Sequence, residues 1–260
     1  MEVITTDDAR LRVEHTPHPG APALLLINSL GTSLEMWDEQ VAALSERYEI
    51  VRYDARGHGK SSAGSLRELT LDHLAKDALA VLDACGIARA HLCGLSLGGM
   101  TVMHLATHWP DRALKIALCN TSPYMPTREA WQTRIDLVRN QGMQPMVEPT
   151  LERWFTPEFR ASSPDKVDRI RRMLLSTDPM GYAACCAALR DMDQRESIKA
   201  IASKTLVICG SRDPGTGPDH AKLMVDAIAD STLVMLEAAH LSNVERSSEF
   251  TAALSEFLAA

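Results

Sequence analysis

The feature that most constrains this chain is a serine with glycines two places away on either side, Gly94-Leu95-Ser96-Leu97-Gly98. A short apolar run, His91-Leu92-Cys93, precedes it, and a stretch that reads as an amphipathic helix, Met100 to Trp109, follows it. A strand that turns directly into a helix must bend sharply at the serine, and the bend exposes the hydroxyl. Side chains two residues before and after would meet the neighbouring strand and helix, so both places need glycine. The helix also aims its N-terminus at the turn, where negative charge is favoured. The pattern predicts Ser96 as a nucleophile; the bland alternative is an ordinary turn serine.

The rest of the chain alternates in a way that suits such a turn. Val3 to His15 reads as an opening strand pair and Pro22 to Asn28 as a doubly buried strand. A helix is expected from Met36 to Leu44 and a strand from Tyr48 to Tyr53. Thr70 should cap a helix running to Cys85, with Leu71, Leu74, Ala75, Ala78, Leu79 and Leu82 on one face and Gly86 as its stop. Leu114 to Asn120 is a further strand. Alternation of this kind implies an α/β fold, a mostly parallel sheet covered by helices on both faces.

After Asn120 the rhythm changes. Helical periodicity alone continues to about Ser197, broken by prolines such as Pro126, Pro145 and Pro179. Trp131, Ile135 and Val138 share a face, Ser163-Pro164-Asp165 marks a helix start, and Tyr182 to Met192 is a helix of small residues. Strands resume at Thr205 to Gly210 and Thr232 to Leu236, and a last helix spans Ser248 to Leu258. Residues 1–121 and 198–260 are therefore expected to form one core domain and 122–197 an all-helical cap.

Net charge bears on partners. It is −7, with both signs mixed along the chain, which argues against nucleic acid or an anionic membrane. An anionic substrate would need a local cation. The N-terminus has no basic segment or apolar stretch of the signal-peptide kind, and no apolar run approaches membrane-spanning length. None of the six cysteines forms a C-x-x-C pair, and most lie in apolar runs, so buried reduced thiols and a cytoplasmic setting are expected.

Functional loops of a parallel sheet leave the carboxyl ends of its strands. Ser96, Asp213 and His240 each fall at such an end. Together they suit triad chemistry: His240 takes the proton of Ser96, while Asp213 fixes the imidazole tautomer and stabilises the imidazolium. Taken singly, Asp213 before Pro214 also fits a turn former, and His240 a packed core histidine. The oxyanion hole should use the backbone N–H of Leu97 and one from the turn after Asn28, read as Leu30.

Other motifs lead nowhere. Asp54-Ala55-Arg56-Gly57-His58-Gly59-Lys60-Ser61 ends like a phosphate loop but has Asp54 where the first glycine belongs. His104 and His108 are spaced four apart without the adjacent glutamate that zinc-protease chemistry needs. No metal or organic cofactor is expected.

The chain resembles the α/β-hydrolase superfamily over essentially its whole length. The serine turn, Asp54-x-Arg56-Gly57-x-Gly59-x-Ser61, Gly210-Ser211-Arg212-Asp213 and Ala239-His240 carry that resemblance. More narrowly it is similar to the 3-oxoadipate enol-lactonases, through Asn28-Ser29-Leu30-Gly31-Thr32, Met36-Trp37, Gly181 to Asp193 and Ala238 to Val244. Two places depart from the pattern. Asn28-Ser29 stands where many hydrolases have His-Gly, and the loop Arg212 to Pro218 differs at the pocket rim. The resemblance implies hydrolysis of 3-oxoadipate enol-lactone to 3-oxoadipate. Another small-ester or carbon–carbon hydrolase of this fold, or a binding protein without turnover, are the alternatives. The implied substrate carries a carboxylate, for which Trp131 and Arg134, three apart on one helix, are candidate contacts. A packed tryptophan and a solvated arginine fit the same residues, and Arg190 and Arg195 are further candidates.

Overall fold

The computed structural model describes residues 1–5 and 7–260; residue 6, inside the expected Val3–His15 strand pair, lies outside the described residues. The elements run β1 (Glu2–Ile4), β2 (Arg10–Thr16), β3 (Ala23–Ile27), α1 (Asp38–Leu44), β4 (Glu49–Tyr53), α2 (Leu71–Ala84), β5 (Ala90–Leu95), α3 (Leu97–His108) and β6 (Ala113–Cys119). Then come α4 (Arg128–Gln141), α5 (Val147–Trp154), α6 (Pro157–Ser162), α7 (Pro164–Ser176) and α8 (Pro179–Asp191). The chain closes with β7 (Thr205–Gly210), α9 (Pro218–Ala227), β8 (Ser231–Leu236), α10 (Ser242–Glu245) and α11 (Ser247–Ala259).

The strands form one eight-stranded sheet in the order β1-β2-β4-β3-β5-β6-β7-β8. From β4 to β8 all pairs are parallel; the β1–β2 and β2–β4 pairs are antiparallel, so β2 alone runs against the other strands. Every residue of β3, β5 and β7 is buried, which is why these segments read as unbroken apolar runs rather than alternating ones.

Local chemistry sets the helix ends. Thr70 accepts the His73 N–H and His73 reaches back to the Thr70 N–H, a capping box at the start of α2. The helix after the serine begins at Leu97, three residues before the amphipathic stretch read from sequence. Nearly all of it is buried, because it lies between the sheet and α2 rather than on the surface. Residues 34–37 form a 3-10 turn ahead of α1, which shortens the helix expected from Met36. Pro164 does open α7, yet the Ser163 side chain makes no cap bond.

Helices α4 to α8 occupy the stretch between β6 and β7. The chain enters and leaves this insertion at one place: Tyr124 and Asp193 form a β-bridge, and the Gln194 N–H donates to the Pro123 carbonyl at 2.8 Å. Backbone meets backbone where α8 rests on the core. A Cβ on Gly57 would sit 2.5 Å from the Cα of Gly181, and the Asp178 N–H donates to the Gly57 carbonyl at 2.8 Å.

Candidate active site

Ser96 has φ 57°, a left-handed backbone that costs a non-glycine residue about 1–3 kcal/mol. Surrounding structure holds it there. Its N–H donates to the Cys119 carbonyl at 2.9 Å, and its carbonyl accepts the Thr121 hydroxyl at 2.7 Å. The glycine requirement is quantitative: a Cβ on Gly94 would lie 2.3 Å from the Gly98 carbonyl oxygen, and one on Gly98 would lie 2.2 Å from that of Ile27. Neither clash involves a side chain that could swing away.

The turn after β3 lies beside this serine. Its N–H groups are not equivalent. Ser29 donates to Met36 Sδ at 3.4 Å and Thr32 donates to the Ser29 carbonyl at 3.2 Å. Among the described residues, the N–H groups of Leu30 and Leu97 have no acceptor, and Leu30 and Ser96 line the same cavity. Asn28, standing in place of the common histidine, donates to the Tyr53 carbonyl at 2.9 Å and so fixes the turn from below.

Asp213 and His240 also face that cavity. His240 Nδ1 meets Asp213 Oδ2 at 2.7 Å. The carboxylate is almost saturated: Oδ1 accepts the N–H groups of Gly215 at 2.8 Å and Thr216 at 3.1 Å. Oδ2 also accepts the Thr216 hydroxyl at 2.8 Å and the Asn120 amide at 2.9 Å. Burial opposes ionisation of Asp213, but the His240 charge and the bonds from His240, Asn120 and Gly215 outweigh it and hold the carboxyl well below the usual range. Asn120 is itself pinned by the Ser242 hydroxyl at 2.5 Å and also reaches the Ala239 carbonyl at 3.2 Å. Neither Asn120 nor Thr216 was singled out from sequence. A lone polar residue after a strand gives no sign of its partner.

Helices of the insertion close the cavity, whose volume is about 120 Å³. Trp154 lies over the His240 ring, with centroids 6.1 Å apart and planes 25° from parallel. Trp131 and Arg134 both line the cavity, and the guanidinium stacks 4.6 Å above the indole. Arg153 joins them from α5, a residue that sequence reasoning missed. Burial lowers its pKa, and the nearby Arg134 charge lowers it further, so the two cations crowd one space. Among the described residues neither has a carboxylate within ion-pair distance; Arg153 donates only to the Thr150 hydroxyl, at 3.3 Å. Burial pushes the Tyr182 phenol well above its ordinary pKa, so this side chain stays protonated beside the two cations.

Two other arginines are spoken for. Arg190 is held by Glu68 at 3.1 Å, Asp191 at 2.6 Å and Gln132 at 2.6 Å, and Arg195 pairs with Asp193 at 2.5 Å while stacking on Tyr124. Neither lines the cavity. Arg212, in the loop that departs from the expected pattern, reaches Glu158 of α6 at 3.0 Å.

The phosphate-loop look-alike serves the core instead. Asp54 accepts the N–H groups of Leu34 at 2.7 Å and Lys60 at 2.9 Å, an acidic anchor where a phosphate loop needs glycine. His104 and His108 stack on each other at 4.0 Å. Among the described residues no group of three or more His, Cys, Asp or Glu side chains could hold a metal ion. No helix there is long and apolar enough to cross a membrane.

A half-buried serine on a strained strand-to-helix turn, in a parallel sheet interrupted by helices, points to one class of protein. Residues 22–247 match the family described as the alpha/beta hydrolase fold, and the chain belongs to it. It is an ester-hydrolysing enzyme of that family. The chain is 38% identical over 253 residues to 3-oxoadipate enol-lactonase 2 of Acinetobacter baylyi, covering 97% of this chain and 94% of that one. The crystal structure of the enol-lactonase from Burkholderia xenovorans superposes with a TM-score of 0.94 at 38% identity, covering 97% of each chain. A hydrolase from Pseudomonas aeruginosa superposes with a TM-score of 0.96 at 40% identity, covering 100% of this chain and 98% of that one.

Proposed function

We propose that this enzyme opens 3-oxoadipate enol-lactone to 3-oxoadipate, as a step of aromatic catabolism in the cytoplasm. One observation carries the reading: Arg134 and Arg153, two guanidinium groups without carboxylate partners among the described residues, share a small cavity with Ser96 and His240. That arrangement suits a small anionic ester, and the names of the relatives supply the particular one.

In this reading Ser96 Oγ attacks the lactone carbonyl while His240 Nε2 takes its proton. Asp213, ionised and immobile, stabilises the imidazolium through Nδ1. Negative charge on the carbonyl oxygen is met by the N–H groups of Leu30 and Leu97, donors of a kind each worth about a hundredfold to a thousandfold in rate. The ring oxygen leaves as an enol or enolate, a weaker base than an alkoxide, so it asks less of His240 as acid. It stays tethered to the acyl group. Water activated by His240 then cleaves the acyl-enzyme, and the keto diacid departs whole. Residues 122–197 act as the cap that supplies the carboxylate anchor, over a core of 1–121 and 198–260.

The test is to mix the protein with freshly generated lactone and follow the loss of its ultraviolet absorbance, with Ser96→Ala alongside. Rapid loss is expected, reduced by about 10⁴-fold or more in the variant. An enzyme that ignores the lactone and cleaves a neutral aryl ester would refute the substrate and leave the nucleophile standing.

A further inference from the structure

The residues on either side of His240 are both tied to the helical insertion. The Leu241 N–H donates to the Trp154 carbonyl, at the end of α5, at 3.1 Å. The Ala239 N–H donates to Oε2 of Glu245 at 3.0 Å. That same carboxylate takes the Thr156 N–H on Oε2 at 3.4 Å and the Thr156 hydroxyl on Oε1. Trp154, two residues before Thr156, lies over the imidazole. One carboxylate therefore bridges the backbone just before His240 and the backbone just after the tryptophan that covers it.

A buried carboxylate is costly unless hydrogen bonds compensate it. Glu245 is only 9% exposed and, among the described residues, has no Lys, Arg or His within ion-pair distance. Its side-chain bonds go to two segments, Ala239 in the histidine loop and Thr156 in the insertion. A site needed only for packing would be filled at less cost by an apolar side chain. The bonds that this side chain accepts span the joint between core and insertion.

We infer that Glu245 is a positioning residue: it locks the His240 loop to α5, so that the imidazole and the wall above it move as one body. The inference rests on the reading of Ser96 and His240 as nucleophile and base. It predicts that loosening this joint harms proton transfer more than binding, because Arg134 stands on α4, stacked on Trp131, outside the joint.

The experiment compares kcat and KM of wild type, Glu245→Ala, Glu245→Gln, Thr156→Val and Ser96→Ala on the lactone and on a neutral aryl ester, with circular dichroism to check folding. Glu245→Ala should lower kcat by about 10- to 100-fold on both substrates, with KM within about threefold, since misplacements of about 1 Å carry such costs. Glu245→Gln keeps an oxygen for the Ala239 N–H and an amide opposite the Thr156 hydroxyl, so it should recover kcat to within about threefold of wild type. Thr156→Val should lower kcat in the same direction by a smaller factor. If Glu245→Ala does not fold, Thr156→Val decides: an unchanged kcat overturns the inference. A folded Glu245→Ala with kcat intact, or with KM alone raised, overturns it too. When Ser96→Ala is inactive in that same series, the positioning role alone has failed. Full activity in Ser96→Ala would overturn the serine–histidine reading and this inference with it.

Discussion

The floor and the roof of the cavity are built by different rules. The floor consists of Ser96, Asp213 and His240 at strand ends, set by backbone: a carbonyl 2.2 Å from where a Gly98 Cβ would be, and N–H groups from Gly215 and Thr216 on one carboxylate. The roof consists of Trp131 and Arg134 from α4, Arg153 from α5 and Tyr182 from α8, side chains with a stacked cation and a neutral phenol between them. Backbone cannot be altered one group at a time, whereas projecting side chains can. The floor therefore suits chemistry that must not vary, and the roof suits recognition that can.

Substitutions should expose that contrast, beginning with the floor. Gly98→Ala pushes a methyl group into the Ile27 carbonyl, and kcat/KM should drop by more than about a hundredfold on every ester, with the melting temperature also reduced. Near-normal turnover on any ester would break the claim that the floor is rigid. On the roof, Arg134→Ala or Arg153→Ala should raise KM for the anionic lactone by about 10- to 100-fold, the worth of a charge-assisted bond. KM for a neutral aryl ester should stay within about threefold. Equal losses on both esters would mean that the arginines shape the cavity rather than read charge.

The smallest effect belongs to the seam between the two regions. His58 is fully buried beside Tyr182, with Nδ1 on the Arg56 carbonyl at 2.7 Å, and burial lowers its pKa from 6.5 to about 4. A histidine whose pKa is depressed on folding stabilises the protein fully above its unfolded value, and that contribution is lost as pH falls toward the folded one. The melting temperature should therefore decline between pH 6.5 and about 4, and His58→Gln should flatten part of that slope. A slope identical to wild type would place the acid sensitivity elsewhere, His91 being the next histidine shifted the same way.

The same contrast decides how much of the molecule was legible in its sequence. Strand ends are written in local patterns: apolar runs that stop at Gly-x-Ser-x-Gly, at Ser-Arg-Asp-Pro and at Ala-Ala-His. The fold follows from their alternation, and the meeting of Ser96, Asp213 and His240 on one cavity follows from the sheet. The roof has no such grammar. Arg134, Arg153, Arg190 and Arg195 look alike in sequence, and only the folded chain brings Glu68 to Arg190 and leaves Arg153 facing the cavity. Nothing in the sequence marks Glu245 until Thr156, remote in sequence, is found against it. Partners supplied by distant segments leave no local trace.

The β-bridge between Tyr124 and Asp193 has a consequence for ancestry. Because the helical insertion starts and finishes at one point, the sheet experiences it as a short connection between two neighbouring strands. A lineage can exchange that whole module and acquire a new appetite while inheriting the old reaction, provided the newcomer offers something for the Glu245 carboxylate to hold.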